Sequence, residues 1–256
     1  MRRVVRIFFG IPYSIYSYTI YFITLILMFL VSVFLSVFFS AEKAGYYFFR
    51  VLHAWSAGWM FLSGIRYRFI NKEYYQKNKP YVMVNNHFSF LDMMVGAVTV
   101  YPNVRVLAKA EIKKVPFFNK LFAMSSVFVD RKNKESREQS KKELAKAIEK
   151  GKSIWLFPEG TRNRTPAPLK EFYDGAFKIA IEEQVPVLAL VTTNSRFINR
   201  MDSPILMPGT FEIRFLPPFE TKGLGEEDIP ALRDKVYKAM EGEILKNDRW
   251  FADKKN

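Results

Sequence analysis

His87 and Asp92 stand five residues apart in the run Asn86-His87-Phe88-Ser89-Phe90-Leu91-Asp92, and His87 is one of two histidines in a chain of 256 residues. Imidazole is the side chain whose unperturbed pKa lies near neutrality, so histidine-dependent acid/base chemistry in this chain falls to His87. The other histidine, His53, lies in an apolar, aromatic-rich stretch. Five residues on a helix is a rotation of roughly 140°, so two such positions share no helical face. They meet only if the histidine sits on the turn before a helix and the aspartate lies inside its first turns. Tyr81-Val82-Met83-Val84 reads as a buried strand, Asn85 and Asn86 as a turn, and Phe88–Val98 as a helix with Ser89 as its N-cap. In that layout Asp92 can accept from one ring nitrogen and leave the other to take a proton from a hydroxyl. A strand-end histidine beside a capping aspartate fits the same residues.

Two further strand ends carry chemistry. Val127-Phe128-Val129 runs into Asp130-Arg131, and Trp155-Leu156-Phe157 runs into Pro158-Glu159-Gly160-Thr161-Arg162. Gly160 permits close backbone approach, Thr161 offers a hydroxyl, and Arg162 and Arg131 offer guanidinium forks suited to phosphate. Taken singly each is an ordinary solvated turn. Three polar clusters at strand carboxyl ends favour one shared site, because ligands of α/β sheets gather there.

The elements that must position them follow from periodicity. Strands are expected at Tyr81–Val84, Val104–Ala108, Ser126–Asp130, Ser153–Phe157, Val187–Thr192 and Phe211–Leu216. Helices are expected at Phe88–Val98, Phe117–Met124, Lys134–Lys150, Glu171–Glu182 and Glu226–Lys246. This alternation, beginning near Tyr67, predicts an α/β fold: a layered sheet flanked by helices. The prolines of Asn163-Arg164-Thr165-Pro166-Ala167-Pro168 mark a loop.

Ahead of it, no charged side chain occurs from Ile7 to Ala41. As a straight helix that run exceeds the roughly 30 Å hydrocarbon core of a bilayer, and it is too long for a signal peptide's apolar region. The segment after it, with Tyr46-Tyr47-Phe48-Phe49, Trp55, Trp59 and Phe61, reads as an interfacial amphipathic helix or as a core helix. Arg2, Arg3 and Arg6 precede the apolar run, and Lys43, Arg50, Arg66 and Arg68 follow it. Basic flanks on both sides favour both ends on the cytoplasmic face of the cytoplasmic membrane, with a re-entrant helical hairpin fitting better than a single span. Tyr13, Tyr16, Tyr18 and Tyr21 would then sit at headgroup depth. The expected organisation is an N-terminal membrane motif over residues 1–64 and an α/β domain over 65–256.

The chain carries 39 Lys+Arg against 25 Asp+Glu, a formal charge of +14, which points to anionic partners. It has no cysteine, excluding disulfides and thiolate catalysis, and its two distant histidines leave no metal site to expect. The basic stretch Lys132 to Lys152 is interspersed with Glu135, Glu138, Glu143 and Glu149, so it reads as a solvated helix face rather than a nucleic-acid surface.

NHFSFLD (86–92), VFVDR (127–131), FPEGTR (157–162) and VPVLALV (185–191) resemble, in order and approximate spacing, the four blocks of the 1-acyl-sn-glycerol-3-phosphate acyltransferase family. The resemblance runs from about Trp59 to Leu224. It implies a glycerol-3-phosphate acyltransferase-like α/β sheet behind a two-helix membrane motif, with His87 as base and Asp92 as its orienting partner. It also implies a phosphate site of Arg131, Glu159, Gly160, Thr161 and Arg162, with Lys109 and Ser89 near the substrates and Val185–Val187 on the donor side. The implied reaction moves a fatty acyl group from acyl-CoA or acyl carrier protein, as co-substrate rather than cofactor, to the free hydroxyl of a membrane lysophospholipid.

Phe88 stands where glutamine is common in the family, and Ala189 where a second proline is frequent. Tyr173-Asp174-Gly175 replaces a frequent Lys-x-Gly, which keeps a different lysolipid or amphiphile acceptor as an alternative. Hydrolysis of a lipid or thioester by the same dyad is the competing reaction. A serine hydrolase is disfavoured by the lack of a G-x-S-x-G elbow.

Overall fold

The computed structural model describes residues 2–99, 104–111, 126–130, 133–200 and 203–252. Its centre is a seven-stranded sheet of β1 (Ile65–Ile70), β2 (Val82–Asn85), β3 (Val104–Lys109), β4 (Ser126–Val129), β5 (Ser153–Leu156), β6 (Val187–Thr193) and β7 (Gly209–Phe215), in the spatial order β1-β7-β6-β2-β5-β3-β4. Every neighbouring pair is parallel except β6 with β7. The inner strands β2, β5 and β6 are buried along their whole length, as parallel strands covered on both faces must be.

Two apolar layers cover the sheet. On one face α4 (Lys134–Glu149), α5 (Gly175–Glu182) and α7 (Ile229–Asn247) contribute Leu144, Ile148, Phe177, Val236 and Met240. On the other, α2 (Ala41–Leu62) and α3 (Leu91–Thr99) bring Trp59, Met60, Leu91, Met94 and Val95 against Met83, Trp155 and Leu188. Short helices α6 (Ser195–Ile198) and α8 (Arg249–Ala252) close the end near β6. Ala189 is fully buried in β6 opposite Val84, with regular strand pairing.

Several sequence expectations need correction. The edge strand β1 was not among them: its arginines alternate with Ile65, Tyr67 and Phe69, and it follows an aromatic helix with only the Ser63-Gly64 turn between. Gly64 takes φ +61 there, the left-handed conformation that ends a helix without a Cβ clash. Asn85 closes β2 rather than opening a turn, and the next helix begins at Leu91, not Phe88. Ser89 still serves the helix start, since its Oγ accepts from the Leu91 N–H at 3.0 Å. The helix expected from Glu171 starts only at Gly175, because the preceding chain is held in another path: the Tyr173 N–H donates to the Pro158 carbonyl, and Leu169 and Phe172 are buried. Asp130 lies just past β4, and Leu216 just past β7. The helix expected at 117–124 falls outside the described residues.

α1 (Arg2–Phe38) pairs with α2 as a hairpin. Its apolar stretch Arg6–Phe38 is long enough to cross a bilayer, and Phe8, Phe22, Ile26, Leu30 and Phe38 are exposed on it, which fits membrane association. Both open ends of the hairpin meet the α/β domain: the Arg6 guanidinium donates to the Phe197 and Ile205 carbonyls, and α2 leads directly into β1. Of the tyrosines expected at headgroup depth, Tyr16 is exposed, Tyr13 and Tyr18 are half-buried and Tyr21 is buried. The hydroxyls of Tyr13, Tyr16 and Tyr18 donate to the carbonyls of Ser63, Leu62 and Pro204, while Tyr21 is buried among Trp55, Trp59 and Phe90. Carbonyls freed at a helix end need donors, and phenols on the adjoining helix supply them. α2 combines its two expected readings: Phe48, Trp59 and Met60 are buried, whereas Tyr46, Tyr47 and Phe61 are exposed. His53 bridges helices by donating to the Ala97 carbonyl at 3.2 Å.

Candidate active site

β2 and β5 are adjacent and parallel, with Val84 beside Leu156, so the chain leaves both strands at one edge. There the His87 turn and the 157–162 loop come together. The His87 Nδ1–H donates to Asp92 Oδ2 at 3.0 Å, and the same oxygen accepts the Phe88 and Ser89 main-chain N–H groups at 2.6 and 2.7 Å. Three donors on one carboxylate oxygen fix the imidazole and its turn as a unit, and they leave Nε2 as the free ring nitrogen. Asp92 is fully buried, while the His87 side chain retains 16% exposure. The imidazole lies flat on Phe157, ring centroids 4.0 Å apart.

Below the turn, Asn86 exchanges hydrogen bonds with the Thr192 main chain on β6, at 2.9 and 2.7 Å. Glu159 ties the turn to the other loop. Its Oε1 accepts the His87 N–H at 2.7 Å and its Oε2 the Lys170 N–H at 2.9 Å, while the Asn163 N–H returns to the His87 carbonyl at 2.6 Å. The Glu159 carboxyl is fully buried, and burial pushes its pKa up to about 7; the two N–H donors pull the other way. Gly160 turns the loop at φ +73.

A cavity of 760 Å³ opens above His87, lined by Ser89, Phe90, Met93, Lys109, Thr161, Arg162, Arg164, Thr165 and Lys170. The structure thus brings His87, Ser89, Lys109, Thr161 and Arg162 to one wall. Glu159 is not in that lining: its carboxylate faces the main chain beneath. Gly160 lines a second cavity, and Arg131 lies outside the described residues. The second cavity, of 410 Å³, lies beside Phe157 and is largely apolar, with Leu107, Leu144, Leu156, Ala176 and Ile179 in its walls.

Sequence reasoning missed Phe157 as the surface under the imidazole, and Arg164 and Lys170 in the polar cavity. Lys170 Nζ donates to Thr161 Oγ1 at 2.7 Å, a contact set by the loop path through Pro166 and Pro168. The basic residues of Arg162-Asn163-Arg164 and Lys170 were the available signal.

A sequence model of the family described as Acyltransferase matches residues 66–193, half of the chain. The 1-acyl-sn-glycerol-3-phosphate acyltransferase alpha of Mus musculus is 33% identical over 192 residues, covering 70% of this chain and 64% of that protein. The 1-acyl-sn-glycerol-3-phosphate acyltransferase of Saccharomyces cerevisiae is 32% identical over 165 residues, 63% of this chain and 54% of its own. An uncharacterized acyltransferase of Schizosaccharomyces pombe is 31% identical over 193 residues, 74% of this chain and 69% of its own. The match thus spans less than two thirds of the length of the mouse and budding-yeast relatives. In fold, the chain is similar to the crystal structure of the 1-acyl-sn-glycerophosphate (LPA) acyltransferase, PlsC, from Thermotoga maritima, at TM-score 0.78 and 21% identity, over 94% of this chain and 97% of that one. The extent of the family match, on a sheet edge that carries the paired His87 and Asp92, assigns this chain to the acyltransferase family.

Proposed function

We propose that this protein transfers a fatty acyl group from a thioester, acyl-CoA or acyl carrier protein, to the free hydroxyl of 1-acyl-glycerol-3-phosphate, giving phosphatidic acid. The observation that carries this reading is the His87 imidazole held by Asp92 at the mouth of a cavity lined by Lys109, Arg162, Arg164 and Lys170. Those cations suit the phosphate of the acceptor, with Thr161 as a further donor. The names of the mouse and yeast relatives support the same acceptor.

In this reaction Nε2 of His87 takes the acceptor hydroxyl proton as the oxygen attacks the thioester carbonyl. The tetrahedral intermediate collapses, the C–S bond breaks, and the proton passes from the imidazolium to the leaving thiolate. Asp92 holds the ring and stabilises the imidazolium, as the acid of a serine-protease triad does. The substrate alcohol is itself the nucleophile, so no acyl-enzyme forms. Glu159 acts as a positioning residue that locks the two loops, not as a phosphate ligand. The apolar cavity beside Phe157 receives an acyl chain, because the residue on whose ring the base rests is part of its wall. The hairpin of α1 and α2 holds the protein in the cytoplasmic membrane with the α/β domain on the cytoplasmic face. The basic flanks and the return of both hairpin ends to the domain support that orientation.

The test is an assay of full-length protein in detergent micelles with lysophosphatidic acid and each donor, products separated by mass. Phosphatidic acid formed with stoichiometric free thiol supports transfer. Free fatty acid produced equally with and without the acceptor would instead make the protein a hydrolase.

A further inference from the structure

Arg196 has no part in the chemistry above, yet it is a cation only 6% exposed, on α6 just past the carboxyl end of β6. Its guanidinium lies between two aromatic rings: 3.9 Å from the centroid of Phe88, the residue after His87, and 4.9 Å from that of Phe251 on α8. Nη2 donates to the Ala167 carbonyl at 3.4 Å, in the loop that continues from the Arg162-to-Thr165 wall of the polar cavity. Arg196 therefore contacts both the histidine turn and the cation-bearing loop, while lining neither cavity.

Charge gives the position its meaning. Asp92, Glu159 and Asp248 are all fully buried. A buried charge is costly unless a counter-charge shares its surroundings. Burial lowers the Arg196 pKa, and the Asp248, Glu159 and Asp92 carboxylates act against it in part. Asp248, the strongest of the three, also accepts the Asn194 and Trp250 N–H groups at 3.0 and 2.9 Å. The aromatic faces of Phe88 and Phe251 compensate the guanidinium where water cannot.

We propose that Arg196 is a positioning residue of the acyl-transfer site, its buried positive charge seating Phe88 in the turn that carries His87 and the Ala167 loop beside it, with Phe251 completing its seat. This rests on the acyl-transfer reading of His87 and Asp92. It gives α8, the last described helix, a part in positioning the base although α8 lines neither cavity. The cation's seat on Phe88, the residue after His87, fixes the turn that presents the base.

The experiment compares full-length wild type, R196M and R196K in the micelle assay, with thermal melting of each. Methionine approximates the side chain's length without its charge, and lysine keeps the charge without the planar fork. R196M should lose about 10- to 100-fold in kcat, with the KM for lysophosphatidic acid within about twofold of wild type, because Arg196 touches no cavity. R196K should retain kcat within about threefold. A purely structural role would lower the melting temperature and leave the kcat of the folded fraction intact. Wild-type kcat in folded R196M overturns the proposal, and so does equal loss in folded R196M and R196K, which would make shape rather than charge the requirement. If R196M does not accumulate folded, R196K decides alone: folded R196K below a tenth of wild-type kcat contradicts it. Absence of transfer by wild type would instead remove the underlying functional reading.

Discussion

The imidazole of His87 rests on the ring of Phe157 with the two planes 13° from parallel, and Phe157 also lines the apolar cavity. One side chain therefore serves as the bed of the base and as part of the wall of the apolar cavity. Replacing Phe157 by alanine should lower kcat about tenfold or more by freeing the imidazole, an effect of misplacement rather than of lost binding. Steady-state kinetics at saturating lysolipid check this; an unchanged kcat would show that Asp92 alone suffices to hold the ring.

Glu159 predicts a specific pH dependence of stability. Its folded pKa is raised from 4.5 to about 7 by burial, so the folded state binds a proton that the unfolded chain releases between those values. The stabilisation from this group is complete below about pH 4.5 and is lost as pH rises through about 7. The Gln variant cannot titrate there. Its melting temperature will be lower by a constant offset from the lost N–H acceptor, but relative to it the wild type should weaken across that window, by about 3 kcal/mol at most. Parallel stability-against-pH curves for the two proteins would contradict the assignment.

The apolar cavity predicts an acyl-chain effect at Gly175. A Cβ placed on this residue meets nothing within 4 Å, and Gly175 lines the cavity at the start of α5. Gly175→Leu should leave folding intact and shift preference toward donors shorter by two or more carbons, measured by competition among acyl thioesters. An unaltered chain-length profile would place the acyl chain elsewhere.

The polar cavity predicts a charge effect in KM. Arg162→Ala and Lys170→Ala should each raise the KM for lysophosphatidic acid about tenfold, as loss of a charge-assisted hydrogen bond does. Activity on a monoacylglycerol, if detectable, should be little affected. Equal losses on the charged and uncharged acceptors would mean that these side chains do not read phosphate.

How much of this was legible in the sequence differs by element. The five-residue spacing of His87 and Asp92 admits contact only across a strand-to-helix turn, and the chain makes that turn, so the geometry could be read from helix rotation alone. The buried runs of β2, β5 and β6 were legible because strands covered on both faces need continuous apolar residues. β1 was hidden because its alternation with arginines is that of an edge strand half open to solvent. The chain from Glu171 to Asp174 continues the polar-apolar pattern of the helix after it, yet the Pro158 carbonyl and the Glu159 carboxylate accept the Tyr173 and Lys170 main-chain N–H groups and keep it out of the helix. Glu159 looked like a ligand beside Thr161 and Arg162, since sequence neighbours on a tight turn face opposite ways and only coordinates reveal which. Arg196 meets Phe88 and Phe251 only through tertiary folding, and no local pattern announces such contacts.

The most direct measurement is the single-turnover rate of acyl transfer by purified His87→Ala beside wild type, with lysophosphatidic acid, acyl thioester and matched melting curves. Loss of the general base should reduce the rate by about 10²–10⁴, with the fold retained and lysophosphatidic acid still bound. A folded His87→Ala protein that forms phosphatidic acid at close to the wild-type rate would contradict the account.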